Sequence, residues 1–158
     1  MNQPQVYSID GVIPVIHPSA FVDPSAGVIG DVTIGANCYI GPNAVLRGDM
    51  SSIDIGEGSN IQDNCTLHCM TGIPTMVGAW GHIGHGAVVH SAQLESNVLI
   101  GMNAVVMDES FIGKNSVVGM GAVVTKDVPP DTVVTGVPAK PKYSRDEYDK
   151  KQTEWKNS

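Results

Sequence analysis

Histidine is the one side chain that serves as a neutral metal donor around neutral pH, and this chain of 158 residues carries five of them. His68 follows Leu67 directly and His90 follows Val89 directly, and both aliphatic residues belong to a six-residue pattern that runs through the sequence. Between Leu67 and Val89 the pattern counts Val77 and Ile83, so three repeats separate the two histidines. If three repeats make one turn of a coiled strand, His68 and His90 stand one above the other, about 4.8 Å apart at the backbone. Two imidazoles at that separation can converge on one ion at about 2.0 to 2.1 Å from each nitrogen. Arg47, following Leu46, occupies the same column one level earlier.

His85 is placed differently. It is third in its own repeat and five residues before His90, so a corner of the coil separates their directions. Within one chain it is not expected to reach the same ion. The geometry closes if a second subunit supplies it, which makes a ring-forming homo-oligomer and the metal site a single expectation. His17 and His82 read as surface or hydrogen-bonded histidines. Cys69, next to His68 but third in its repeat, points elsewhere than His68 and is left out of the ligand set.

The element that must hold these residues is the repeat itself. Aliphatic residues recur at Ile16, Val22, Val28, Ile34, Ile40 and Leu46, at Ile55, Ile61 and Leu67, at Val77, Ile83 and Val89, and from Leu94 by sixes to Val124. Small residues such as Ala26, Cys38, Ala44, Cys65, Ala87, Ala104 and Ala122 follow four positions later. A helix of period 3.6 cannot keep a six-residue pattern on one face, whereas short strands separated by tight corners can. The expected fold is therefore all-β, a parallel β-helix of about six coils. Three breaks in register interrupt it: three extra residues between Leu46 and Ile55, four between Leu67 and Val77, and one missing between Val89 and Leu94. The second falls within CMTGIPTM, directly after His68.

The reading is of one domain: residues 1–15 a lead-in strand, 16–128 the β-helix, 129–158 a Pro-rich exit and a C-terminal helix. Ser144 and Glu147 fit a capping box for that helix, with Tyr148 and Trp155 on one side to pack on the solenoid or a neighbour. Sixteen acidic against nine basic residues give a formal charge of −7, which argues against nucleic acid or anionic membranes as partners. No apolar stretch approaches the roughly 20 residues of a membrane span. MNQPQVYSID lacks the basic start and apolar run of a signal peptide, so the cytoplasm is the expected compartment. Three cysteines outside any CxxC pattern read as reduced thiols.

Three segments carry a resemblance: LRGD at Leu46 to Asp49, NIQDNCTLH at Asn60 to His68, and HIGHGAVVH at His82 to His90. They resemble the gamma carbonic anhydrase-like hexapeptide proteins. The wider run, from YSIDGVIPVIHPSAFVDPSA to VLIGMNAVVMD, is most similar to the branch of the phenylacetic acid degradation and carnitine metabolism proteins. The resemblance implies a left-handed β-helix, a homotrimer, and Zn held by His68 and His90 of one subunit and His85 of its neighbour. It further implies that Gln62 orients the metal-bound solvent and that Arg47 and Asp49 form an ion pair near the interface.

Three neutral imidazoles leave Zn one open position, where bound water becomes hydroxide near neutral pH and can attack CO2 to give bicarbonate. Fe or Co also accept imidazole. The sequence departs from the best-known gamma enzymes in its proton path: Met50 follows Asp49, and CMTGIPT contains no Glu. The same hydroxide could cleave an acyl-CoA thioester. GVPAK resembles the segment that contacts coenzyme A in hexapeptide acyltransferases, which gives acyl transfer as a further reading. The non-enzymatic reading is a trimeric scaffold that the metal ties together.

Overall fold

The computed structural model describes residues 4–158. Short parallel strands wind into a left-handed β-helix of triangular section, each face a ladder in which one coil hydrogen-bonds to the next. One face stacks Gln5–Tyr7, the first half of Gly27–Ile34, the first half of Val45–Ile55, Thr66–His68, Val88–His90, Val105–Val106 and Val123–Val124. A second stacks Val15–Ile16, the later halves of the same two long strands, Thr75–Val77, Gln93–Leu94 and Phe111–Ile112. The third runs from Phe21–Val22 through Tyr39–Ile40, Asn60–Ile61, His82–Ile83, Leu99–Ile100 and Val117–Val118 to Thr132–Thr135.

The aliphatic repeat positions fill the interior. Val28, Leu46, Leu67, Val89, Val106 and Val124 form one column along the axis, none more than 1% exposed. The small residues four positions on are buried as well, where the chain turns inside a corner too narrow for a larger side chain. Corners repeatedly place asparagine in the left-handed region: Asn37, Asn43, Asn64, Asn97, Asn103 and Asn115 have φ between 56° and 62°. Asparagine tolerates this region better than other non-glycine residues because its short polar side chain bonds locally. Here the bonds also run between coils, Asn97 Nδ2 donating to Asn115 Oδ1 at 3.0 Å and Asn115 Nδ2 to Asp131 Oδ1 at 2.9 Å.

The stacking passes both boundaries expected for it. Gln5–Tyr7 pairs in parallel with Gly27–Ile34 and so forms the first rung rather than a lead-in. Thr132–Thr135 adds a rung beyond residue 128, and Lys140–Ser144 then turns back antiparallel along its edge. The helix Arg145–Lys156 starts where the capping signal put it, with Ser144 Oγ accepting from Glu147 N–H at 3.3 Å. Trp155 does not pack on the solenoid: it is 73% exposed. The helix is anchored at its first residue, Arg145 donating to Asn115 O at 3.0 Å, and has no buried residue. Among the described residues no helix is long and apolar enough to cross a membrane.

Candidate functional site

His68 and His90 close adjacent strands of one face and are register partners, as are Arg47 and His68 one level earlier. The column expected from the repeat count is therefore present. It holds because Leu67 and Val89 point inward at 0% exposure, and alternation along a strand turns the next residue out. The backbone of His68 is further tied by the segment that follows it: Thr75 Oγ1 donates to His68 O at 2.5 Å, and Ser91 N–H donates to the same oxygen at 3.1 Å.

The two rings meet edge to edge, His68 Nδ1 lying 2.9 Å from His90 Nε2. Each ring's other nitrogen is held by a carboxylate. His68 Nε2 lies 2.9 Å from Asp49 Oδ1, and His90 Nδ1 contacts Asp108 Oδ1. A carboxylate only accepts, so these outer nitrogens carry the protons and donate. The inner nitrogens, His68 Nδ1 and His90 Nε2, then both present lone pairs to each other. Two lone pairs at that distance repel unless a proton or a cation lies between them. An outer carboxylate on each imidazole is also how metal-binding histidines are commonly oriented.

Asp49 is shared. Arg47 donates to its second oxygen at 2.6 Å, giving the expected ion pair. Partial burial pushes the Asp49 carboxyl up, but the bonds from Arg47 and His68 and the guanidinium charge outweigh it, and it sits below the usual carboxylate range. Gly48 is required between them. A Cβ there would collide with the Asp31 carbonyl, because the two long strands run closely side by side at the corner.

His85 stands outside this group. Its side chain is half exposed, with Nδ1 3.7 Å from Asp63 Oδ1, and it makes no hydrogen bond to His68 or His90. Gln62 is with it rather than with the stacked pair: His85 N–H donates to Gln62 Oε1 at 3.2 Å, and Gln62 Nε2 lies 3.2 Å from His82 Nε2. One chain thus presents two separate groups, Arg47, Asp49, His68, His90 and Asp108 in one and Gln62, His82 and His85 in the other. Among the described residues no three His, Cys, Asp or Glu side chains converge within a single chain tightly enough to hold a metal. Cys69 is buried and turned inward, its thiol donating to Ser51 O at 3.0 Å and pushed up by burial.

Two contributors escaped the sequence reading. Asp108 follows the strand Val105–Val106, which pairs with Val88–His90; counting one coil on from His90 leads to Met107, one residue short of it, so register alone does not reveal the contact. His82 was read as a surface or hydrogen-bonded histidine, and nothing in its spacing signals that Gln62 is its partner. It also borders a cleft of about 650 Å³ between the third face and the C-terminal segment. Leu99, Val117 and Val133 line the cleft from the solenoid, Tyr143 and Tyr148 from the C-terminal segment, and Gln62, His82 and His85 also border it.

Known sequences carry the same repeat. Residues 13–48 and 91–126 match the bacterial transferase hexapeptide (six repeats) family, and residues 31–69 the hexapeptide repeat of succinyl-transferase. A hexapeptide transferase family protein from Anaplasma phagocytophilum is 35% identical and superimposes with a TM-score of 0.87 over 95% of this chain and 92% of that one. This chain belongs to the hexapeptide-repeat transferase family. A second solved member of like shape, a putative acetyltransferase of Bacillus cereus, is 32% identical with a TM-score of 0.89, covering 96% of this chain and 92% of that one. Among curated hexapeptide-repeat relatives, the carnitine operon protein CaiE of Proteus sp. is 50% identical over 113 residues, 72% of this chain. That of Escherichia coli K12 is 51% identical over 112 residues, 71% of this chain. The match spans 57% of each CaiE protein, little more than half its length. The CaiE proteins lie in the branch to which the run from YSIDGVIPVIHPSAFVDPSA to VLIGMNAVVMD is most similar.

Proposed function

We propose that this hexapeptide-repeat protein is a homotrimeric metalloenzyme of the gamma carbonic anhydrase type, with one metal at each subunit interface. His68 and His90 of one subunit and His85 of the next hold it. The observation that carries this reading is the facing of His68 Nδ1 and His90 Nε2 at 2.9 Å with both outer nitrogens committed to carboxylates. That arrangement calls for positive charge between two imidazole lone pairs. The donor set, neutral nitrogen with oriented rings, fits Zn, and Fe or Co also accept it.

When bound, zinc supplies a water acidified to a pKa of about 7, a nucleophile at neutral pH for an electrophilic carbon such as that of CO2. The chain's own residues do the rest. Asp49 and Asp108 fix the tautomers and ring directions of His68 and His90. Arg47 neutralises Asp49 and holds it in place. Gln62, oriented by His85 N–H, offers a free N–H and a free lone pair on the half-site that a neighbouring subunit turns toward the stacked pair.

A second reading keeps the same metal site and replaces CO2 by an acyl thioester. Two observations favour it: the apolar cleft beside Gln62, His82 and His85 is far larger than CO2 requires, and solved relatives are described as a putative acetyltransferase and a hexapeptide transferase. Metal content and subunit mass of the purified protein test the shared core of both readings, one metal per subunit in a trimer being expected and a metal-free monomer overturning it. CO2 hydration measured beside hydrolysis of an acyl-CoA panel then separates the reactions. Silence in both, with metal and trimer present, assigns the metal a scaffold role.

A further inference from the structure

The contacts around Gln62 determine a proton position that no motif announces. A backbone N–H can only donate, so the end of the Gln62 amide that faces His85 N–H at 3.2 Å is its carbonyl oxygen. The other end, Nε2, therefore faces His82 Nε2 at 3.2 Å, and an amide nitrogen can only donate. His82 Nε2 must accept, which puts the His82 proton on Nδ1. His82 and Asn60 are register partners on the third face, and Asn60 Oδ1 is buried with no hydrogen-bond partner among the described residues.

We propose that His82 is a positioning residue for the active site: as the Nδ1–H tautomer it holds the Gln62 amide in one orientation, carbonyl toward His85 and amide nitrogen toward His82. The inference rests on the role proposed for Gln62 at the shared site, but the arrangement itself lies within one chain. Without the acceptor at His82, the Gln62 amide nitrogen loses its partner and the side chain swings about its remaining bond to His85 N–H. A protonated His82 would set donor against donor, and the environment opposes that state. Burial, and to a lesser degree the neighbouring His85, hold its imidazole below the usual range. The ionisable side chains that border the same cleft are His85, Tyr143 and Tyr148, with Asp63 lying 3.7 Å from the His85 ring.

The variants His82→Phe and His82→Gln separate positioning from packing. Phenylalanine keeps a ring in the column and removes the acceptor, whereas a glutamine carbonyl can reach the place of the imidazole Nε2. Long-range 1H–15N correlation spectra of the intact trimer should show His82 as the Nδ1–H tautomer. The side-chain amide of Gln62 should shift in His82→Phe and return toward its wild-type position in His82→Gln. With 4-nitrophenyl acetate as probe, His82→Phe should lose roughly 10- to 100-fold in kcat, the usual effect of removing an outer-shell partner, with KM, metal content and subunit mass unchanged. His82→Gln should recover most of that loss. An Nε2–H tautomer, or a His82→Gln variant as impaired as His82→Phe, overturns the proposal. If the protein is instead isolated without metal, the shared-site reading fails while the tautomer and the Gln62 resonance still decide the role of His82.

Discussion

Replacing Asp49 with asparagine tests the cation-demanding pair most directly. Asp49 accepts from His68 at 2.9 Å and from Arg47 at 2.6 Å, and among the described residues no other side chain hydrogen-bonds the outer nitrogen of His68. An asparagine at 49 has two poor choices. With its carbonyl toward His68 it keeps the tautomer but loses the negative charge that raises the basicity of the ligand, and its amide nitrogen confronts Arg47. With its amide nitrogen toward His68 it makes His68 Nε2 an acceptor and moves the proton to the inner nitrogen, where the metal lone pair should be. Arg47 is partly exposed and recovers hydration, so the fold should persist. Loss of an outer-shell carboxylate of this kind weakens metal binding by about 10- to 100-fold, or about 1.4 to 2.7 kcal/mol. Competition of the metal-free trimer with a chromophoric chelator for zinc measures it. Asp63→Asn is the internal control: Asp63 is 3.7 Å from His85, beyond hydrogen-bonding distance, and its change should leave affinity nearly as it was. Unchanged zinc affinity in Asp49→Asn, or an equal loss in Asp63→Asn, refutes the reasoning.

The shared site predicts complementation. His68→Ala and His85→Ala subunits, each unable to load zinc alone, should regain partial metal content when unfolded together and reassembled, and native mass spectrometry of the mixed trimers reads the result. Ile83, fully buried between Ile61 and Ile100, should cost about 2 to 5 kcal/mol as alanine in urea unfolding at fixed subunit concentration. Gly48→Ala should cost about 1 to 3 kcal/mol by forcing the corner strands apart, and it should lower zinc affinity by displacing Arg47 and Asp49. Because the native imidazole of His82 is held below the unfolded value of about 6.5, the unfolded chain binds the extra proton first as pH falls. The His82 contribution to stability should therefore be complete above that value and decline on acidification through the lowered native one. His82→Gln should flatten this part of the stability profile.

The coil was legible in the sequence because a period of six is incompatible with a helix, and because the interior of a narrow solenoid admits aliphatic residues at fixed intervals and little else. The same arithmetic put His68 between Arg47 and His90 in one column, since in-register stacking turns a sequence interval into a vertical neighbour. It also assigned His85 to another direction, as the corner requires. The ends were less legible: Gln5–Tyr7 and Thr132–Thr135 stack as rungs although their spacing departs from six, because backbone hydrogen bonding to the next coil does not depend on the side-chain pattern. Trp155 marks a similar limit, since its helical spacing from Tyr148 says which side it shares but not whether anything lies there.

What the sequence alone determined, then, was the column: which residues share a face and a level follows from chain geometry repeated at constant pitch. Only the tertiary structure decided which atoms of those residues meet. The approach of Asp108 to His90, the inward thiol of Cys69, and the amide of Gln62 caught between His82 and His85 N–H depend on how corners bend and side chains rotate. Hydrogen-bond direction then turns those contacts into proton positions, which leave the inner nitrogens of His68 and His90 facing each other with their lone pairs.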